Sequence, residues 1–391
     1  MPKLTICGGG NAAHVLMALA GHAGWEVDVF APLAGEAQRL ETGLAVRGGI
    51  VARSGQQAIV GQVRRISPEA AEVIPGSELV LLALPAFAHG QILRAIAEFL
   101  EPGAAIGALP ARGGFDHQVN SLLDVAGANL RFFGLQTLPW ACRIVTYGQE
   151  VDILGTKQVV DLAAFPGKEA PALAARLDSL LGLAISPVSS FLTLTLANTG
   201  QLIHPGIMYG LGRGREEAVF SQAEIPLFYQ GIDQSTAELL QALSDEVQVL
   251  VHTMVGQVPG LAPQAVMPLQ QWLLRAYPND IVDGATLRQA FVTNRAYAGL
   301  KIPTRPIGPD TFAIDFTARY LAEDVPFGLV VLRGLAELAD VPLPALEAVI
   351  SWAQERLGKQ YLVDGRLTGL HLAESRAPQV YGIKTLAQLA S

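Results

Sequence analysis

Gly8-Gly9-Gly10-Asn11-Ala12-Ala13 is the first stretch whose residue types and spacing could do chemistry. It matches G-x-G-x-x-G/A and lies between an apolar run at 3–7 and a stretch with helical apolar spacing. Gly8 permits a tight turn, Gly10 lets the backbone approach a pyrophosphate, and Ala13 lets the helix lie close to the strand. A helix that starts there, at Asn11, offers free N–H groups and the positive end of its dipole to phosphates. Two later segments, LANTGQLIHPG and DFTARYLAEDVPFG, add Asn198, His204, Arg319 and Asp324. An imidazole can carry the proton that accompanies hydride transfer. A carboxylate on its other nitrogen fixes the tautomer and favours the imidazolium. An arginine can hold a substrate carboxylate through two parallel hydrogen bonds. Taken singly, each charge reads as a solvated face, and a histidine beside Pro205 reads as structural. Spacing alone does not bring residues 204 and 324 together.

The choice of dinucleotide turns on the end of the second strand, read at 26–30. The next residue is Ala31, before Pro32, so no acid stands where ribose hydroxyls are usually held. No arginine follows closely to hold a 2′-phosphate, Arg39 being a turn or two further on; taken with the family resemblance given below, NAD(H) is expected over NADP(H). Asp28 reads as a solvated strand residue. His14 is expected to pack on the first turn of its helix. Pro85 stops a strand at 78–84 and counts among the cofactor-side residues. His89, just beyond, reads either as a helix-start histidine or as a neighbour of the nicotinamide.

These residues need a scaffold. Strand patterns at 3–7, 26–30, 78–84, 104–109 and 131–138 alternate with helical stretches, which predicts an α/β Rossmann-like domain with a parallel sheet. Residues 150–164 carry two apolar runs around Gly155-Thr156-Lys157, which predicts a hairpin at the sheet edge. Beyond about Pro187 the periodicity is mostly helical, over 191–213, 233–256, 264–276, 326–339 and 343–358. The expectation is a dinucleotide-binding domain over 1–190 and a mostly α-helical domain over 191–391.

Composition narrows the function. A chain of 391 residues is long for one core. Its net charge of −8 argues against a nucleic-acid partner, which needs a basic patch. Cys7 and Cys142 make neither a metal spacing nor a disulfide framework. With no signal-peptide layout and no apolar run long enough to span a membrane, a cytoplasmic protein without a membrane partner is expected.

The segments CGGGNAAH (7–14), LPAFAHG (84–90), LPWACRI (138–144), LGTK (154–157), IHP (203–205), PLFYQGIDQSTA (226–237), RYLAEDVPFG (319–328), WAQERLGKQYLVDGRLTG (352–369) and APQVYGIKTL (377–386) resemble the octopine/opine dehydrogenase family, nearly end to end. The resemblance implies a site in the cleft between a Rossmann-like and a helical domain. It implies that His204 and Asp324 form the catalytic pair and that Arg319 binds the carboxylate of a 2-oxo acid, with pyruvate expected. Asn198 matches an asparagine of some bacterial members, whereas octopine-type members differ there. Trp272 and Cys142 match positions that line the substrate pocket. The partners implied are an amino acid and a 2-oxo acid, in a monomer or homodimer.

One departure is Arg112, where octopine-type members carry a glutamine. Two readings stand: an exposed loop arginine, or a pocket arginine that repels a cationic amine such as arginine. Glu323 reads as a surface carboxylate. Rival functions are a ketone reductase of the ketopantoate or glycerol-phosphate type and a dinucleotide sensor without turnover. Reductases of that kind use a helical-domain lysine, and no lysine lies between residues 169 and 300.

Overall fold

The structure, a computed structural model, describes residues 1–390. The chain divides into two compact units. The first comprises Met1–Ala111 and Phe115–Leu194, and the second comprises Arg112–Gly114 and the chain from Thr195 onward.

In the first unit, twelve strands make two sheets. They are β1 (Lys3–Cys7), β2 (Glu26–Phe30), β3 (Ile50–Ser54), β4 (Gln57–Gly61), β5 (Arg65–Ser67), β6 (Leu79–Leu82), β7 (Ala105–Ala108), β8 (Arg131–Leu135), β9 (Trp140–Thr146), β10 (Glu150–Thr156), β11 (Val159–Phe165) and β12 (Ala184–Pro187). The large sheet runs β12-β11-β8-β7-β6-β1-β2-β5. Every pair in it is parallel except β11 with β8. Helices α1 (Asn11–His22), α2 (Glu36–Arg47), α3 (Ala70–Val73), α4 (Ala86–Ile96), α5 (Phe115–Leu122) and α6 (Ala170–Leu181) belong to this unit. The central strands β6 and β7 are apolar and buried at every position because both faces of the large sheet are covered. Leu4, Ile6, Leu79 and Leu81 pack into one core with Ala13, Leu16 and Met17 of α1. Cys7, Val80 and Leu82 pack into the other with Ile92 and Leu93 of α4. The period-two alternation therefore selects between two cores and not between core and solvent.

That explains the first correction. Asp28 is fully buried, not solvated. Arg64 donates to it through Nε at 2.8 Å and through Nη2, and Lys3 lies 3.2 Å away. A second correction concerns 150–164. β10 and β11 do not form a hairpin: β10 pairs with β9 and β3 in the small sheet, order β4-β3-β10-β9, while β11 pairs with β8 and β12 in the large one. Lys157 crosses between them and donates from Nζ to the Leu138 carbonyl at 2.8 Å.

The second unit is mostly helical. Its elements are α7 (Phe191–Ala197, which begins in the first unit), α8 (Gly200–Gly212), α9 (Gln234–Met254), α10 (Leu269–Ala276), α11 (Leu287–Val292), α12 (Arg319–Ala322), α13 (Val330–Ala339) and α14 (Pro344–Leu357). A small antiparallel sheet joins β13 (Val219–Phe220), β14 (Thr304–Gly308) and β15 (Thr311–Ile314). These strands are short and largely exposed, so they carry little of the hydrophobic pattern that betrays a strand in a sequence. No helix among the described residues is long and apolar enough to cross a membrane.

Candidate active site

The glycine loop sits at the end of β1. Gly8 adopts φ +108°, and its N–H donates to the Phe30 carbonyl at 2.9 Å. A Cβ on Gly10 would meet nothing within 4 Å, so the backbone there is open to a close ligand. Gly10 begins α1 with no side-chain cap, and no acid stands in the first turn. The helix start thus keeps its N–H groups and its favourable field for a phosphate. Asn11 accepts from the Ile144 N–H at 2.8 Å through Oδ1. Burial pushes the His14 imidazole down to about 4, so it is neutral; its Nδ1–H donates to the Gly10 carbonyl and its Nε2 accepts from Gly148 at 2.9 Å. Asn11 and His14 therefore pin the β9–β10 turn beside the glycine loop.

Ala31 is buried behind β2. An acid stands five positions on. The chain turns through Gly35, at φ +69°, and starts α2 with Glu36. A Cβ on Gly9 would lie 2.8 Å from Glu36 Oε1 and 2.7 Å from the Tyr147 hydroxyl, so both side-chain ends close on the glycine loop. Glu36 Oε2 is buried and has no partner within the protein. Burial raises its carboxyl above the ordinary range, opposed by the Tyr147 hydroxyl and Arg39. In the sequence, Glu36 is not at the strand end where a ribose-holding acid is usual; its signal there is an acid at the start of the next helix. Pro85 stands just before α4, and His89, inside its first turn, faces the Leu84 carbonyl at 3.1 Å through Nε2. His89 is thus a buried helix-start histidine. Cys142 lies buried on β9, its thiol raised to about 11 by desolvation.

In the second unit, His204 of α8 and Asp324 meet: His204 Nδ1–H donates to Asp324 Oδ2 at 2.8 Å. Asp324 follows α12 and opens a π-helical turn, Val325–Leu329, closed by the Leu329 N–H donating to the Asp324 carbonyl at 3.0 Å. Such wide turns are frequent at functional sites. With Nδ1 protonated toward Asp324, Nε2 of the neutral ring is the acceptor, and the Tyr229 hydroxyl donates to it at 3.0 Å. Burial raises that hydroxyl far above its usual range, so it remains a donor. His204 stacks on Tyr320 at 4.4 Å between centroids, and Tyr320 stacks on Phe228 at 4.6 Å. Trp272, on α10, joins this group edge-on through Tyr277, which meets Tyr297 and, through it, Tyr229. Tyr229 and Tyr320 carried no signal in the sequence, because a tyrosine beside one apolar neighbour reads there as ordinary core.

Arg112 belongs to the same cluster. Its side chain is 10 % exposed, with Nη1 2.6 Å from Asp324 Oδ1 and Nε 3.5 Å from Glu323 Oε1. This overturns the exposed-loop reading. The loop is held by its backbone: Arg112 adopts φ +62°, and the Gly113 N–H donates to the Phe327 carbonyl of the π-helical turn at 2.8 Å. Burial opposes the guanidinium charge, but Asp324 and Glu323 outweigh it. Glu323 is not a surface carboxylate either, being 1 % exposed. It also takes Arg319, whose Nε donates at 2.7 Å while the side chain remains 58 % exposed. Two arginines thus face two carboxylates, and the expected repulsion of a cationic amine by Arg112 loses its physical basis. Asn198 lies beside this group: a Cβ on Gly200 would be 3.1 Å from Arg112 Nη1, 3.4 Å from Asn198 Oδ1 and 3.8 Å from His204 Cε1.

An imidazole oriented by a carboxylate, and a parallel sheet whose first turn is built for a dinucleotide, belong together in the dinucleotide-dependent dehydrogenases. Residues 187–357 match the family described as NAD/NADP octopine/nopaline dehydrogenase, alpha-helical domain. The octopine dehydrogenase of Mizuhopecten yessoensis is 38% identical over 394 residues, spanning 98% of this chain and 97% of its own. A solved octopine dehydrogenase with NADH and L-arginine is 36% identical and superposes with a TM-score of 0.88, covering 100% of this chain and 98% of its own. Another, with NADH and pyruvate, is 34% identical with a TM-score of 0.86 over 99% of this chain and 97% of its own. The chain belongs to the octopine/opine dehydrogenase family and is an NAD(P)-dependent oxidoreductase.

Proposed function

We propose that this enzyme condenses the amine of an amino acid with pyruvate and reduces the product to a secondary-amine dicarboxylate, using NADH. The observation that carries the reading is the His204–Asp324 pair with Tyr229 on the open nitrogen. The amine nitrogen attacks the oxo carbon, water leaves, and the resulting imine carbon receives hydride. One proton is consumed overall. When bound, the reduced nicotinamide supplies the hydride. Asp324 holds Nδ1–H, so His204 exchanges its proton at Nε2: the amine attacks unprotonated, and the imidazolium gives the one proton consumed to the departing hydroxyl. Tyr229 follows either ring state, donating to the neutral ring and accepting from the imidazolium. Arg319, exposed beside the pair although held by Glu323, is the arginine whose side chain can reach the oxo-acid carboxylate. Asn198, Trp272 and Cys142 are proposed to line the substrate pocket.

Glu36 favours NADH. Its unpartnered, buried Oε2 beside the glycine loop is an acceptor that a ribose 2′-hydroxyl satisfies, whereas a 2′-phosphate meets like charge. The test is an assay of NADH oxidation over an amine panel. Oxidation that requires both pyruvate and an amine supports the reading; oxidation by pyruvate alone makes the protein a simple ketone reductase.

A further inference from the structure

Five side chains of the second unit form one line of alternating charge that ends on the imidazole. Arg319 Nη2 is 2.6 Å from Glu323 Oε2. Glu323 turns its other oxygen toward Arg112 Nε, at the looser distance of 3.5 Å. Arg112 Nη1 is 2.6 Å from Asp324 Oδ1, and Asp324 Oδ2 takes the His204 Nδ1–H at 2.8 Å. Glu323 and Asp324 are both 1 % exposed, whereas Arg319 is 58 % exposed. The line thus runs from a solvent-facing cation to the proton-transferring ring, and its interior members interact with little screening.

We propose that Glu323 and Arg112 are positioning residues that transmit the binding of the oxo-acid carboxylate at Arg319 to the proton affinity of His204. This rests on the reading of Arg319 as the oxo-acid clamp. Before substrate binds, Glu323 holds Arg319, and Arg112 draws half of Asp324 away from the imidazole. A carboxylate arriving on Arg319 competes with Glu323. Released charge on Glu323 then turns to Arg112 through the oxygen already aimed at it. Arg112 loosens its hold on Asp324, whose charge falls more fully on the imidazole. The imidazolium is favoured when the substrate that needs an acid has arrived. The other groups that face the ring are the hydroxyl of Tyr229 and the stacked ring of Tyr320, with Phe228 as an apolar neighbour. None of these carries a charge that would oppose the effect.

The test compares pH profiles in the condensation direction. The alkaline limb of kcat/KM for pyruvate reports the enzyme before pyruvate binds, and that of kcat reports the complex. In the wild type the kcat limb is expected at higher pH, by about half a unit or more. Part of that separation comes directly from the charge of the bound pyruvate, so the variant decides. In Glu323→Gln the separation is expected to shrink to less than half. In Arg112→Gln the free-enzyme limb starts higher, because Asp324 is no longer shared, and the separation shrinks again. Either variant suffices if the other does not fold. Wild-type separation in a folded variant, or none in the wild type, overturns the proposal. A wild type that turns over without any response of pyruvate KM to Arg319→Ala removes the clamp reading and the proposal with it.

Discussion

Arg112 and Asp324 form a buried ion pair, Nη1 to Oδ1 at 2.6 Å, on the same carboxylate that orients His204. Asp324 therefore serves a guanidinium and an imidazole at once, and its loss strands the guanidinium. Asp324→Asn is expected to lower kcat by about 10²-fold or more through the weakened imidazolium. Removing one partner of a buried pair costs about 3–5 kcal/mol, so the variant should also unfold at clearly lower temperature. Steady-state kinetics and thermal unfolding on one preparation check both. A variant with wild-type stability would mean that Arg112 does not depend on Asp324.

His204→Gln removes the proposed proton carrier and lies outside the first unit, which holds the glycine loop. Turnover should fall by roughly 10²–10⁴-fold. NADH binding, followed by fluorescence titration, should remain within about threefold of wild type, near the low end of what one net hydrogen bond is worth. Near-normal turnover would take His204 out of the mechanism.

Arg319→Ala should raise the KM for pyruvate by about 10- to 100-fold, the worth of a charge-assisted pair of hydrogen bonds. The amine's KM should change far less. A rise confined to the amine would assign the clamp to the wrong substrate.

Glu36 gives a pH-dependent prediction. Burial keeps its carboxyl protonated to higher pH than the ordinary value of 4.5. An acid raised by folding stabilises the native state at low pH and loses that contribution as pH rises through the raised value. Ionisation, in turn, makes the better acceptor for a ribose hydroxyl. NADH binding should tighten as pH rises from 4.5 through the mildly acidic range, above the region near 4 where His14 titrates. Glu36→Gln should abolish this dependence and lower kcat/KM for NADH by about tenfold, with a smaller loss for NADPH. Equal losses for the two dinucleotides would detach Glu36 from the ribose.

Tyr229→Phe leaves the ring stack and removes the donor on His204 Nε2. Loss of one net hydrogen bond of about 0.5–1.5 kcal/mol predicts a kcat lower by roughly 2- to 12-fold. Because the Tyr229 hydroxyl titrates far above neutrality, the alkaline limb of the wild-type profile should survive the substitution. Its disappearance would make the tyrosine the titrating acid.

Local pattern alone determined a good deal. β1 and β2 fall at 3–7 and 26–30 as expected, because the buried middle of a parallel strand is mostly apolar, and the glycine turn after Cys7 and Pro32 after Ala31 mark where the two strands stop. The glycine loop was legible because its chemistry is carried by backbone at fixed spacing. The helical texture after residue 187 was legible from period alone. Resemblance, and not spacing, pointed to His204 with Asp324, whereas folding decided what surrounds them. Glu323 and Arg112 look like surface charges in one dimension; only the π-helical turn and the left-handed Arg112 backbone bury them against each other. Glu36 looks remote from the glycine loop until the Gly35 turn returns it to Gly9. Asp28 and the strands of residues 150–165 went astray for the same reason. Whether a strand face meets solvent or a second core, and which sheet a strand joins, depends on partners far away in the chain, and hydrophobic periodicity carries no record of them.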